Sequence, residues 1–234
     1  MSDKILVLNG RTYAKALEGL GEMVFDERKF TSNPDQFKLV QFTGGEDVSP
    51  ELYGDTSPKN MCYNSTYRDK VEKNIFDMAI ENGIKMTGIC RGSQFLNVMS
   101  GGRMLHHVTN HGGTTHNMET NNGIVVDVNP SHHQMSIVGP GGIVLGWASP
   151  RQSDVYIGRN DEPEEAPEKE TEAIFYPGTR CIGVQYHPEW LDTGSEGYVY
   201  YKKLVSDFLE MTIEQFSEAY TVESKLLRSH SAGR

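Results

Sequence analysis

The stretch Lys85-Met86-Thr87-Gly88-Ile89-Cys90-Arg91-Gly92-Ser93-Gln94-Phe95-Leu96-Asn97-Val98-Met99 decides the fold. Lys85 to Ile89 reads as a short buried strand. Phe95, Leu96, Val98 and Met99 mark the buried side of a helix that ends at Gly101-Gly102. Between strand and helix, Cys90 has Gly88 two residues before it and Gly92 two after, the spacing of a nucleophile elbow with sulfur in place of a serine hydroxyl. Glycines are needed there because side chains would collide with neighbouring backbone in so tight a turn. A cysteine so placed sits at a helix N-terminus, where free N–H groups and the helix dipole favour a thiolate and a lowered pKa. The same spacing also describes a small thiol buried at a strand end, the usual fate of a free cysteine. Spacing alone leaves these two readings level.

Outward from this stretch the pattern repeats. Ile5-Leu6-Val7-Leu8 and Phe37 to Phe42 are continuous apolar runs, as expected of strands covered on both faces. Tyr13 to Met23 has helical spacing, and Arg68 to Asn82 carries a stripe of Val71, Ile75, Phe76, Met78 and Ala79 that stops at Gly83. Strand and helix in alternation predict a three-layer α/β fold with a mostly parallel central sheet. From Ile124 to Val184 the texture changes to short strands such as Ile143-Val144-Leu145 and Ala173-Ile174-Phe175, which add a smaller antiparallel portion. Cys181 to Tyr186 is a further strand, and Ser195 to Phe216 reads as one helix. Residues 1–217 form a single domain in this reading, and 218–234 a C-terminal tail. The stretch Asp161 to Glu172, rich in Glu and Pro, reads as a solvated loop.

With 234 residues, 37% hydrophobic and 23% charged, the chain suits one water-soluble globular domain. A formal net charge of −10 argues against nucleic acid or an anionic membrane as partner. No apolar run reaches the roughly 18 residues of a membrane span. Met1-Ser2-Asp3-Lys4 lacks the pattern of an export signal, so the expected location is the cytoplasm. Three cysteines, an odd number, read as free thiols there, Cys62 and Cys181 as structural ones.

A cysteine nucleophile needs a base, and the base needs an orienting acceptor. Gly183-Val184-Gln185-Tyr186-His187-Pro188-Glu189 offers both: His187 and Glu189 stand two apart at a strand end, so they can leave one face, and Pro188 fixes the backbone between them. Alone, His-Pro-Glu is a weak signal; with the cysteine elbow it is a strong one.

Together these motifs resemble the class I glutamine amidotransferase superfamily, and within it most closely the γ-glutamyl-γ-aminobutyrate hydrolase branch, the peptidase C26 group. The resemblance is carried by Thr43-Gly44-Gly45-Glu46-Asp47-Val48-Ser49-Pro50 with Tyr53-Gly54, Arg68-Asp69 with Glu72, the elbow with Asn97-Val98 and Gly101-Gly102, His132-His133-Gln134, and Gly183 to Glu189. It implies a flavodoxin-like fold with Cys90 as nucleophile, His187 as base and later acid, and Glu189 orienting it. It further implies an oxyanion hole of backbone N–H groups from Arg91 and the Gly44-Gly45 turn, with Gln94, His132, His133 and Gln134 lining the γ-glutamyl pocket. Pro130-Ser131 stands where relatives usually carry Asn-Ser.

Two other clusters have plainer readings. Arg68, Asp69 and Glu72 are more readily ion pairs behind the site than substrate ligands. His106, His107, His111, His116, His132 and His133 fit no zinc spacing and lack a cysteine pair, so no metal is expected and His106 to His116 reads as a loop flanking the site. No phosphate loop or dinucleotide fingerprint is present, and no cofactor is expected. The implied activity is hydrolysis of γ-glutamyl amide bonds, in γ-glutamyl amines, small γ-glutamyl peptides or glutamine, through a glutamyl thioester. The alternatives are a glutaminase subunit feeding ammonia to a separate synthetase and, behind it, a catalytically silent binding protein. The expected partners are thus a small γ-glutamyl substrate, a synthetase under the alternative reading, and neither nucleic acid nor membrane, with a homodimer left open.

Overall fold

Ile5, Leu6 and Val7 are almost wholly buried because their strand is inside a sheet packed on both faces, as the unbroken apolar run requires. In the computed structural model, which describes residues 3–113 and 115–221, the strands in chain order are β1 (Lys4–Val7), β2 (Glu22–Val24), β3 (Phe37–Phe42) and β4 (Lys85–Ile89). Then come β5 (Arg103–Leu105), β6 (His107–Val108), β7 (His116–Thr120), β8 (Val125–Val128) and β9 (Met135–Ile137). The last four are β10 (Ile143–Ala148), β11 (Tyr156–Ile157), β12 (Thr171–Tyr176) and β13 (Cys181–Val184). The helices are α1 (Glu27–Ser32), α2 (Thr66–Glu81), α3 (Arg91–Met99), α4 (Glu196–Glu210) and α5 (Ile213–Thr221).

Nine strands form one sheet in the order β2-β1-β3-β4-β13-β12-β10-β7-β8. From β2 through β13 neighbours run parallel; from β13 outward they run antiparallel. The mostly parallel α/β sheet with a smaller antiparallel portion is therefore as expected. Alternate residues of one strand feed opposite cores, as the pleat dictates. Ile5 and Val7 pack with Tyr201, Leu204 and Phe208 of α4, whereas Leu6 and Leu8 pack with Ile75 and Phe76 of α2 and Phe95 of α3.

Two helical expectations are corrected. Tyr13 to Met23 is not one helix: a 3-10 turn, Arg11–Leu17, gives way to the edge strand β2. Gly19 takes φ +82°, and the N–H of Glu22 then donates to the Asp3 carbonyl at 2.8 Å, so strand pairing overrides the helical period. The predicted helix Ser195 to Phe216 is two helices broken at Met211, whose backbone is extended. Thr212 and Gln215 cap the second reciprocally, the Gln215 N–H reaching the Thr212 hydroxyl at 3.2 Å and the Thr212 N–H the Gln215 amide oxygen at 2.9 Å. Of the tail expected from residue 218, α5 takes the part up to Thr221, and residues 222–234 lie outside the described residues. Among the described residues no helix is long and apolar enough to cross a membrane.

Candidate active site

Cys90 takes φ 52° and ψ −113°, a strained conformation for a side-chain-bearing residue, at the junction of β4 and α3. The junction holds because glycines let three backbones touch. A Cβ on Gly88 would strike the Gly92 carbonyl carbon, one on Gly92 the Phe42 carbonyl, and one on Gly183 the Ser93 side chain. The Cys90 N–H donates to the Val184 carbonyl of the adjacent strand at 2.8 Å. These contacts fix the elbow.

The lowered thiol pKa expected from the helix N-terminus is not what the surroundings produce. Burial pushes the Cys90 thiol up to about 12; the Arg91 N–H works against this, while the carboxylates of Glu189, Asp47 and Glu172 add to it. With Cys90 only 7% exposed, desolvation outweighs the dipole. The resting sulfur is a thiol, so any nucleophilic role requires proton removal during attack.

The base proposed for that proton is positioned by β13, the parallel neighbour of β4 (Val184 opposite Ile89). Two residues beyond β13's register with Cys90, His187 Nδ1 lies 2.7 Å from Glu189 Oε1. A carboxylate only accepts, so Nδ1 carries the hydrogen and Nε2 is left bare as a base. Pro188 opens the 3-10 turn Pro188–Trp190 that brings Glu189 back under the ring. Trp190 stacks on the imidazole at 3.7 Å with planes 4° apart, while itself 59% exposed. It shields one ring face and holds its tilt.

The Gly44-Gly45 turn is held from behind. Arg68 Nη2 donates to the Thr43 carbonyl at 2.8 Å and the Gly44 carbonyl at 3.0 Å. In a trans peptide the N–H points opposite to its carbonyl, so the Gly44 and Gly45 N–H groups are turned away from the guanidinium. Neither glycine tolerates a side chain. A Cβ on Gly44 would sit 2.5 Å from the Tyr13 hydroxyl and 3.2 Å from His187 Cε1, and one on Gly45 would collide with Arg68. Arg68 itself pairs with Glu72 (2.8 Å) and Glu46 (2.7 Å). The Arg91 side chain points away from the elbow into the same network, pairing with Asp69 and Glu72. Asn9 donates to Glu72 at 2.7 Å, and the Ser49 hydroxyl bonds Asp69. The cluster Arg68–Asp69–Glu72 is thus an ion-pair scaffold behind the turn, as its sequence suggested.

The remaining sequence-predicted residues are spread along one rim. Gln94 Nε2 donates to the Gln134 carbonyl at 3.3 Å and to Gln185 Oε1 at 3.2 Å. His133 is half-buried with Nε2 3.2 Å from Asp47, and Asp47 in turn accepts the Tyr63 N–H. Gln134 Nε2 donates to Cys62 Sγ at 3.1 Å. His132 turns inward, its Nδ1 2.7 Å from the Gln134 carbonyl, and burial holds it below the ordinary imidazole pKa. Ser131, just before it, faces Cys90, whose Sγ is 3.8 Å from the Ser131 carbonyl.

Sequence reasoning missed Tyr13, Asp47 and Trp190. Burial pushes the Tyr13 phenol up to about 12, and the charges of Glu189 and Cys90 add to the effect; its ring centroid lies 6.4 Å from that of His187. Its signal was topological: it follows β1 at the carboxyl edge of a parallel sheet, where α/β sites form. The reading of Asp161 to Glu172 as a solvated loop also needs correction at both ends. Asp161 is buried against His106 at 2.7 Å, and Glu170 and Glu172 are buried among the histidines of 111 to 132.

An α/β sheet with a cysteine elbow at the carboxyl end of a central parallel strand defines a class I glutamine amidotransferase-like protein. More particularly, the chain belongs to the peptidase C26 family: the family described as Peptidase C26 matches residues 24–156, more than half its length, and includes Cys90. The glutamine amidotransferase-like protein YvdE of Lactococcus lactis is 40% identical over 65 residues, 28% of either chain. The chain spans less than half the length of the curated relatives it matches. A glutamine amidotransferase of Thermotoga maritima shares the fold with a TM-score of 0.57 at 15% identity, over 98% of this chain and 96% of that one. A protein of Thermoplasma acidophilum described as part of a GMP synthase superposes with a TM-score of 0.56 at 13% identity, over 94% of this chain and 98% of that one.

Proposed function

We propose that the protein is a cysteine hydrolase of γ-glutamyl amide bonds. The observation that carries the reading is the His187–Glu189 pair, closed at 2.7 Å just past the end of the strand next to the cysteine elbow. Because the resting thiol is neutral, its proton passes to His187 Nε2 as sulfur attacks the γ-carbonyl carbon. Glu189 stabilises the imidazolium that forms. The oxyanion settles between the N–H of Arg91 and those of the Gly44-Gly45 turn, each preset donor being worth about 3 kcal/mol to such an intermediate. Collapse breaks the C–N bond, His187 hands its proton to the departing amine, and a glutamyl thioester remains. Water, deprotonated by His187, then hydrolyses it and returns the thiol. In this reading Gln94, Gln134 and the His133–Asp47 pair receive the glutamyl moiety.

The likeness to a protein described as one component of a synthase keeps a second reading: a glutaminase subunit passing ammonia to a synthetase. Initial rates of the purified chain on glutamine and a panel of γ-glutamyl amides separate the two. A free hydrolase turns over unaided on at least one amide. A glutaminase component hydrolyses only glutamine, and slowly. Turnover that survives Cys90→Ala sinks both.

A further inference from the structure

Three histidines, one of them His132 next to Ser131 in sequence, surround one buried carboxylate. His111 lies in the loop after β6, His116 opens β7, His132 precedes β9 and Glu172 belongs to β12; each is at most 9% exposed. Glu172 Oε1 is 3.0 Å from His116 Nε2, 3.3 Å from His111 Nδ1 and 3.7 Å from His132 Nε2. None of these approaches is aligned as a hydrogen bond, and both Glu172 oxygens and all three of those nitrogens lack a hydrogen-bond partner. Leaving so many buried polar atoms unpaired is costly.

His132 shows what is missing. Its Nδ1 lies 2.7 Å from the Gln134 carbonyl, which can only accept, so Nδ1 carries the hydrogen and Nε2 turns a lone pair toward Glu172. Two acceptors facing each other in a dry pocket need a proton or a metal cation between them. The spacing has the right scale: ligands at about 2.0–2.1 Å around tetrahedral zinc are roughly 3.3–3.4 Å apart, and Glu172 Oε1 lies 3.3 Å from His111 Nδ1 and 3.7 Å from His132 Nε2. Ligand atoms of His111, His132 and Glu172 all lie within 4.8 Å of one another. An outer layer exists as well. The other nitrogen of His111 is 3.3 Å from Glu170 Oε2, also without an aligned hydrogen bond, within reach of the carboxylate–histidine arrangement that orients zinc-binding imidazoles. Glu170 is itself fixed by the N–H groups of Gln152 (2.6 Å) and Ser153 (2.8 Å).

We infer that His111, His132 and Glu172 bind one divalent cation of the zinc class, with water completing its shell and Glu170 beside His111. The ligands come from three separate segments, so no linear spacing announces them. The ion braces the 131–134 loop against the Cys90 elbow and neutralises the buried charge of Glu172.

Purified protein and its Cys90→Ser variant, each exposed to zinc chloride and then dialysed, are assayed for zinc by elemental analysis. Both should retain one equivalent, and cobalt(II) replacing zinc should give intense tetrahedral absorption without sulfur charge-transfer bands. Glu170→Gln, an outer-layer change, should weaken binding about 10- to 100-fold, and Glu172→Gln or His132→Ala by more. A crystal of the unaltered protein soaked in zinc, measured at the zinc absorption edge, guards against variants that fail to fold. A peak among His111, His132 and Glu172 supports the site. Sub-stoichiometric zinc, retention unaltered in Glu172→Gln, or a peak only elsewhere overturns it.

Discussion

Two clusters of buried polar groups adjoin Cys90, and they differ in completeness. In the arginine cluster, Glu72 accepts from Asn9, Arg68 and Arg91, and Asp69 from Arg91 and Ser49. In the histidine cluster, Glu172 has three nitrogens within 3.7 Å and no aligned bond from any of them. The first is a closed scaffold whose arginine carbonyl contacts hold the Gly44-Gly45 turn; the second has ligands without a centre. The difference teaches that nearness of charges is not pairing: burial makes each unsatisfied atom expensive, so geometry tells which cluster is finished.

The comparison breaks most sharply at the scaffold. Glu72→Ala leaves two guanidinium groups buried without their shared carboxylate, and unfolding in urea should show a loss of about 3–5 kcal/mol. Loss under about 1 kcal/mol would mean that water replaces the pairing. Next in size, Gly44→Ala places a methyl against Tyr13 and His187 and displaces one oxyanion donor. The kcat on a γ-glutamyl amide should fall about 10²- to 10³-fold, with some loss of stability as the crowded turn shifts to admit the methyl.

Smaller effects sharpen the account of the sulfur. With the Cys90 thiol pushed up to about 12, its pKa lies far above neutral pH. Alkylation by iodoacetamide in the substrate-free protein should therefore keep rising with pH through about 9 without a plateau. A plateau reached between about pH 6 and 7 would instead mark a stabilised thiolate. Tyr13→Phe removes the hydroxyl beside Gly44 and should lower kcat by roughly 2- to 10-fold, the worth of a single net hydrogen bond.

Much of this was legible in the chain because it is local. The elbow compresses its requirements into Gly88, Cys90 and Gly92, and His187 with Glu189 spans three residues, so the spacing of each motif carries its geometry. The strands of the parallel half were legible for the same reason, since burial on both faces leaves unbroken apolar runs. Tyr13 was hidden inside a segment whose helical period yielded to strand pairing of Glu22 with Lys4. Glu172 was hidden because it ends an acidic stretch whose middle is solvated, and only the antiparallel pairing of β12 with β13 and β10 buries it among distant histidines. Long-range convergence of this kind leaves no period to read.

The central claim is that Cys90 carries the glutamyl group between the two half-reactions. Rapid acid quench of the protein during turnover of a γ-glutamyl amide, followed by peptide mass spectrometry, tests it directly. One glutamyl residue should be found on the Cys90 peptide and vanish in Cys90→Ala; a glutamyl group on Cys62 or Cys181, or turnover with no acylated cysteine at any quench time, would contradict it.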